Sequence, residues 1–106
     1  MDREKMELIV MDIIVNSGDC RSCAMEAIGY AREGEFDRAE ESIDRANEAI
    51  LKAHHVQTDL IQKEVAGEKT EISMLLIHCQ DQLMTSMLCK DMAIEFLNMY
   101  KKFSDK

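Results

Sequence analysis

Apolar and small residues recur along this chain in alternating steps of three and four, in three successive runs. The first run is Met6, Val10, Ile13, Ser17, Cys20, Ala24, Ala27 and Ala31, flanked by Ile9, Ile14 and Ile28. The second is Phe36, Ala39, Ile43, Ala46, Ile50, Ala53, Gln57, Leu60 and Glu64, with Arg38, Glu41, Arg45, Glu48 and Lys52 on the opposite side. The third is Ile72, Leu75, Cys79, Gln82, Ser86, Cys89, Ala93, Phe96 and Tyr100. Such spacing puts one stripe along one side of a helix, so each run predicts a long amphipathic helix. Gly34 and Gly67 stand where a helix ends in a left-handed cap, which sets expected helices over about 2–33, 36–66 and 70–103. Thr70 is the expected N-cap of the third. Asn16-Ser17-Gly18-Asp19 are weak helix formers inside the first, and a local kink is expected there.

Two short turns between three long helices dictate an antiparallel up-down-up bundle. The chain has 106 residues, with no proline and four glycines. That leaves room for a single domain, 1–106, and too few turns for a sandwich, a barrel or a doubly wound sheet. The expected fold class is therefore all-α. The third helix carries more apolar surface than a lone bundle can cover. Leu76, Leu83 and Leu97 lie beside its stripe, and Met74, His78, Asp81, Thr85, Leu88 and Met92 form another flank. A helix apolar over most of its circumference is buried on more than one side, which predicts self-association through the third helix.

Charge narrows the function classes. Lysine and arginine total 13 against 21 acidic residues, a net charge of −8. An acidic surface repels phosphate backbones and anionic headgroups, so nucleic-acid and membrane-surface roles are excluded as expectations. The longest apolar stretches, Leu8 to Met11 and Met74 to Ile77, fall far short of the ~20 residues that span a bilayer. The N-terminus lacks a signal-peptide pattern, and a cytoplasmic protein is expected.

Cys20-x-x-Cys23 invites a zinc or redox reading, but Cys79 and Cys89 are ten residues apart and complete no second ligand pair. The four cysteines are expected to be free packing thiols. Gly67-Glu68-Lys69-Thr70 superficially resembles the end of a phosphate-binding loop, yet its glycine and lysine are not adjacent and the upstream glycine is missing.

Histidine is the remaining source of chemistry. His78 and Asp81, three residues apart on a helix, share the flank assigned to self-association. A histidine there could be a nucleophile, a metal ligand or a structural side chain. Antiparallel geometry brings His54, His55 and Gln57 of the second helix toward the level of His78, Cys79 and Gln82. Glutamines on core stripes, Gln57 and Gln82, cost free energy unless hydrogen-bonded. Polar groups gathered at one level of an oily bundle mark a candidate site.

These residues fall into ordered blocks: Asn16-Ser17-Gly18-Asp19-Cys20-Arg21-Ser22, Gly34-Glu35-Phe36, Ala53-His54 with Gln57-Thr58, and Leu76-Ile77-His78-Cys79-Gln80-Asp81-Gln82-Leu83-Met84-Thr85. Together they resemble the enzyme IIA component of the lactose/cellobiose class of the phosphoenolpyruvate-dependent sugar phosphotransferase system, over essentially the whole chain. Cys79 stands where that family usually has alanine, and Gln82 where it often has a second histidine.

The resemblance implies a homotrimer of three-helix subunits. It implies that His78 accepts a phosphoryl group from the phosphocarrier protein HPr and passes it to a cysteine of the cognate enzyme IIB. Gln57, Gln82 and His54 would be supporting residues. Asp81 would meet its two symmetry mates around a shared Mg²⁺. The alternative from another class is a non-enzymatic, acidic, trimeric helical adaptor. It accounts for the heptads, but it gives no role to the layer of Gln57, His78, Asp81 and Gln82.

Overall fold

The computed structural model describes residues 3–104. Three helices follow one another: α1 (Arg3–Arg32), α2 (Phe36–Val65) and α3 (Met74–Ser104). They form the expected antiparallel bundle, a rod of 57 × 21 × 19 Å. α1 packs along both other helices, whereas α2 and α3 meet each other sparingly. The expected first position of the first helix, Asp2, lies outside the described residues.

Both glycine caps behave as the sequence requires. Gly34 has φ +78° and Gly67 φ +99°, the left-handed region that a Cβ disfavours. After α1, the Gly34 amide donates to Ala31 O at 3.0 Å and the Glu35 amide to Tyr30 O at 2.9 Å. After α2, Gly67 donates to Glu64 O and Glu68 to Lys63 O, at 3.1 and 2.9 Å. Each pair is a Schellman closure, which satisfies carbonyls orphaned at the helix end.

The stripe of α1 is buried as patterned, from Val10 and Ile13 through Ser17, Cys20, Ala24 and Ala27 to Ala31. α1 runs unbroken through Asn16–Asp19, so the expected kink does not interrupt the helix. A Cβ at Gly18 would meet nothing within 4 Å, so packing does not require a glycine there. The stripe of α2 is buried from Ala39 to Ala53 and again at Leu60, while Glu64 at its end is exposed. Alanine at Ala24, Ala27, Ala31, Ala39, Ala46, Ala53 and Ala93 leaves little side-chain bulk along much of the core.

α3 departs from expectation in two ways. It begins at Met74 rather than residue 70, because Ser73 caps it: its Oγ accepts from the Leu76 amide at 3.1 Å and its carbonyl from the Ile77 amide at 3.1 Å. Its core line is Cys79, Leu83, Ser86, Ala93 and Leu97. Gln82, Cys89, Phe96 and Tyr100, expected on the main stripe, are half-buried flanking residues, and Ile72 and Leu75 are exposed. Both tracks run at three-four steps one position apart, and the bulkier leucines settle which faces inward.

The parallel pair α1 and α3 is held in register by Cys20, whose Sγ donates to the Ser86 carbonyl at 3.7 Å. The hydroxyls of Ser17 and Ser86 are fully buried without a hydrogen-bond partner. Lys90, its side chain 18% exposed, lies nearby and pairs with Asp91 at 2.7 Å. At the other end of the bundle, Lys101 of α3 pairs with Glu40 of α2.

Candidate functional site

His78 lies just over one turn into α3 and Asp81 almost one turn further along. Both are exposed. Cys79, between them, is the first fully buried residue of α3 and anchors this segment to the core. His78 has no hydrogen-bond or ion-pair partner within the described residues, so both ring nitrogens face outward uncommitted. No ion pair or hydrogen bond joins His78 to Asp81. The Asp81 carboxylate is likewise unpaired, and only its backbone carbonyl is engaged, accepting from Thr85 Oγ1 at 2.9 Å.

Around the two polar residues the surface is oily. Met74 is 85% exposed, Ile77 59%, Met84 56% and Leu88 62%, with Met92 and Met99 continuing the strip. Exposed apolar side chains contiguous along one helix face signal an interaction surface. The flank expected to be available for self-association is thus open in the subunit, and it carries His78 and Asp81 in its middle.

The supporting residues divide. Gln57 of α2 is half-buried and donates through Nε2 to Gln80 Oε1 of α3, so its partner is not the expected Gln82. Gln80 is half-buried, because it lies one turn beyond Leu76 and three residues before Leu83, on the side that faces α2. That spacing is the signal in the sequence that marks it. Gln82 is half-buried one turn beyond His78, with no side-chain bond to Gln57. His54 is exposed; its carbonyl accepts from Thr58 Oγ1 at 3.0 Å. In the antiparallel register set by Gln57 and Gln80, His54 stands level with Leu83, more than a turn of α3 beyond His78. His55 faces Asp59 at 3.9 Å.

Burial pushes the Cys79 thiol above its ordinary pKa, so the side chain beside His78 remains a neutral packing group. Within the described residues of one chain, no group of three or more histidines, cysteines and carboxylates is arranged to hold a metal. Asp81 offers hard oxygen donors of the kind Mg²⁺ takes, but one carboxylate is not a site. The donor set fits a divalent cation only if further copies of the chain bring their own Asp81 to it.

Comparison with known proteins decides the class. Residues 8–101 match the family described as PTS system, lactose/cellobiose specific IIA subunit. The chain belongs to this family. It is 47% identical over 103 residues to the lichenan-specific phosphotransferase enzyme IIA component of Bacillus subtilis, covering 97% of this chain and 94% of that one. The crystal structure of the PTS cellobiose-specific enzyme IIA from Bacillus anthracis superposes with a TM-score of 0.93 at 50% identity, covering 100% of this chain and 95% of that one. A IIA(chitobiose) chain of Escherichia coli, solved in solution as a complex with HPr, superposes with a TM-score of 0.80 at 38% identity, covering 92% of this chain and 95% of that one. As a IIA subunit, the protein is a phosphotransfer component of a sugar phosphotransferase system. No helix among its described residues is long and apolar enough to cross a membrane.

Proposed function

We propose that this IIA subunit is a cytoplasmic phosphocarrier that takes a phosphoryl group from phospho-HPr onto His78 and hands it to a cysteine of a cognate enzyme IIB during disaccharide uptake. The observation that carries the proposal is an exposed histidine with both ring nitrogens uncommitted, set in an open apolar face, in a family with a member solved on HPr. Neutral imidazole is a good nucleophile near pH 7, since its unperturbed pKa is about 6.5. In the first step a ring nitrogen of His78 attacks phosphorus, the N–P bond forms, and the bond to HPr breaks. In the second a IIB thiolate attacks the same phosphorus, the S–P bond forms, and His78 is released.

Phosphoryl transfer has a loose transition state, so the carrier chiefly positions its nucleophile and compensates charge. Met74 and Ile77, exposed beside His78, exclude water from the transferring group once a partner seats on them, while the strip beyond Asp81 is left to self-association. Cys79, its thiol held neutral by burial, does not compete for the phosphoryl group.

The apolar strip of α3 supports a homotrimer assembled through that helix, with the three Asp81 carboxylates converging on a divalent cation, Mg²⁺ by the preference of carboxylates for hard ions. Bound there, the ion would neutralise carboxylates that otherwise repel one another. Gln82, one turn from His78, lies within the neighbourhood of the transferred group, whereas His54 lies farther along the bundle.

Intact mass after incubation with phosphoenolpyruvate, enzyme I and HPr tests the proposal. The native chain gains one acid-labile phosphoryl group, and His78→Ala gains none while retaining its helicity. Uptake by His78→Ala overturns the assignment, and no uptake by the native chain leaves the adaptor as the better account.

A further inference from the structure

The segment that carries His78 is the least supported part of α3. Met74, Leu75, Ile77 and His78 are exposed, and Leu76 is only partly buried. Leu76, packed against the core, then the fully buried Cys79 and the half-buried Gln80 fix this end of the helix to the bundle. Cys79 plugs into the core beneath α1, in the register that the Cys20–Ser86 bond sets. Beyond Cys79 the helix is anchored by Leu83, Ser86, Ala93 and Leu97, so the rotation of its first turns is the part left for local contacts to set. Across the sparse α2–α3 seam, the described side chains make one hydrogen bond near this end, from Gln57 to Gln80, and the Lys101–Glu40 pair closes the far end.

Gln57 sits on the core stripe of α2, between the buried Ala53 and Leu60. A plain apolar residue would satisfy packing there, and a buried amide without a partner costs free energy. Its N–H groups find that partner only if Gln80 points at α2. Two half-buried amides that satisfy each other across the seam therefore favour one rotational setting of the first turns of α3, and Gln80 is two residues from His78. A helix that rolls by one residue's share, about 100°, carries His78 onto a different side of the bundle. Much smaller rolls move a ring at the end of a side chain by an ångström or more.

We propose that Gln57 is a positioning residue, which acts through Gln80 to hold the first turns of α3 at the rotation that aims His78 at an incoming phosphoryl group. This rests on the phosphocarrier reading of His78. Gln57 is half-buried and its side chain is spent on Gln80, so in this proposal its loss changes the rate within the docked complex rather than docking itself. A misplacement of about 1 Å at a reacting group can lower a rate by up to roughly a hundredfold.

The test is single-turnover phosphorylation by phospho-HPr, followed across donor concentrations by intact mass, in the full chain. Gln57→Leu keeps the volume and apolar packing but removes the donor. The saturating rate is expected to fall at least about tenfold, with the half-saturating donor concentration within about twofold of native. Gln80→Glu keeps an acceptor for the Gln57 N–H and is expected to retain the native saturating rate within about threefold. Circular dichroism of both variants checks folding; should Gln57→Leu fail to fold, Gln80→Leu supplies the broken bond from the other side. A native saturating rate in the broken-bond variant, or an equal loss in Gln80→Glu, overturns the proposal. Phosphopeptide mapping keeps the two claims apart: phosphate on a residue other than His78 sinks the phosphocarrier site, whereas native-rate phosphate on His78 in Gln57→Leu sinks only the positioning role.

Discussion

His78 and Asp81 stand three residues apart on one exposed side of α3, and no hydrogen bond or ion pair connects them. The carboxylate is thus not placed to orient the imidazole within its own chain. The proposed function gives it a different use, as a ligand at an assembly axis. Three carboxylates brought together without a cation would cost several kcal/mol per ion. A chelator is therefore expected to loosen the native assembly, while Asp81→Leu remains assembled and indifferent to chelation. Light scattering with and without chelator makes the comparison. A native assembly untouched by chelation, together with an Asp81→Leu variant that assembles but no longer takes phosphate, returns Asp81 to the service of His78.

Leu88, 62% exposed and two turns beyond Asp81, tests the apolar strip itself. In a trimer packed through α3 its side chain is buried, and a charge there has no partner. Leu88→Glu is expected to weaken self-association by well over tenfold, since 1.4 kcal/mol already equals a factor of ten. The subunit's helicity should be unchanged, because the same residue is on the surface of the isolated bundle. Sedimentation of the native chain at micromolar concentration should show the trimer; a fully helical stable monomer removes the interface.

Cys20 gives the bundle an alkaline limit. Burial raises its pKa from 9.0 to about 11, with Lys90 opposing in part. The unfolded thiol ionises first, so between these values the unfolded state holds fewer protons and stability falls as pH rises. The contribution is complete below about pH 9 and fades toward 11, amounting to roughly 3 kcal/mol. Cys79, also raised by burial, adds in the same direction. Urea unfolding at successive alkaline pH values should show a shallower decline in Cys20→Ala than in the native chain; identical slopes exclude the effect.

Ser86 carries a fully buried hydroxyl without a partner, opposite Cys20. Ser86→Ala removes the unsatisfied group and leaves the backbone carbonyl that accepts from Cys20. Stabilisation of about 1 kcal/mol is expected, visible as a higher urea midpoint at unchanged slope. Destabilisation would mean that the hydroxyl is satisfied in solution.

The parts of the fold that were legible in the sequence are those where one periodic track dominates. In α1 Ser17, Cys20, Ala24 and Ala27 continue the track of Val10 and Ile13 at three-four steps, and all of them are buried. In α3 two adjacent tracks are both apolar, and choosing between Gln82 and Leu83 takes knowledge of the neighbouring helices. The late start of α3 at Ser73 was hidden because Thr70 and Ser73 are both competent caps, and the choice depends on how much chain the turn from Gly67 consumes. That His78 and Asp81 share one exposed flank was readable from their spacing, but the Gln57–Gln80 bond was not, since a glutamine beside an apolar track reads as solvated until the opposing helix is in place.

The slender seam between α2 and α3 gives this rod a grain, as in split timber. Both helices pack chiefly along α1, which joins them over most of their length. Integrity and recognition are thereby assigned to different joints of the molecule. Substitutions along α1 put the whole chain at risk, while substitutions along the seam retune what α3 presents to a visitor, and new partners can be accommodated there without endangering the fold.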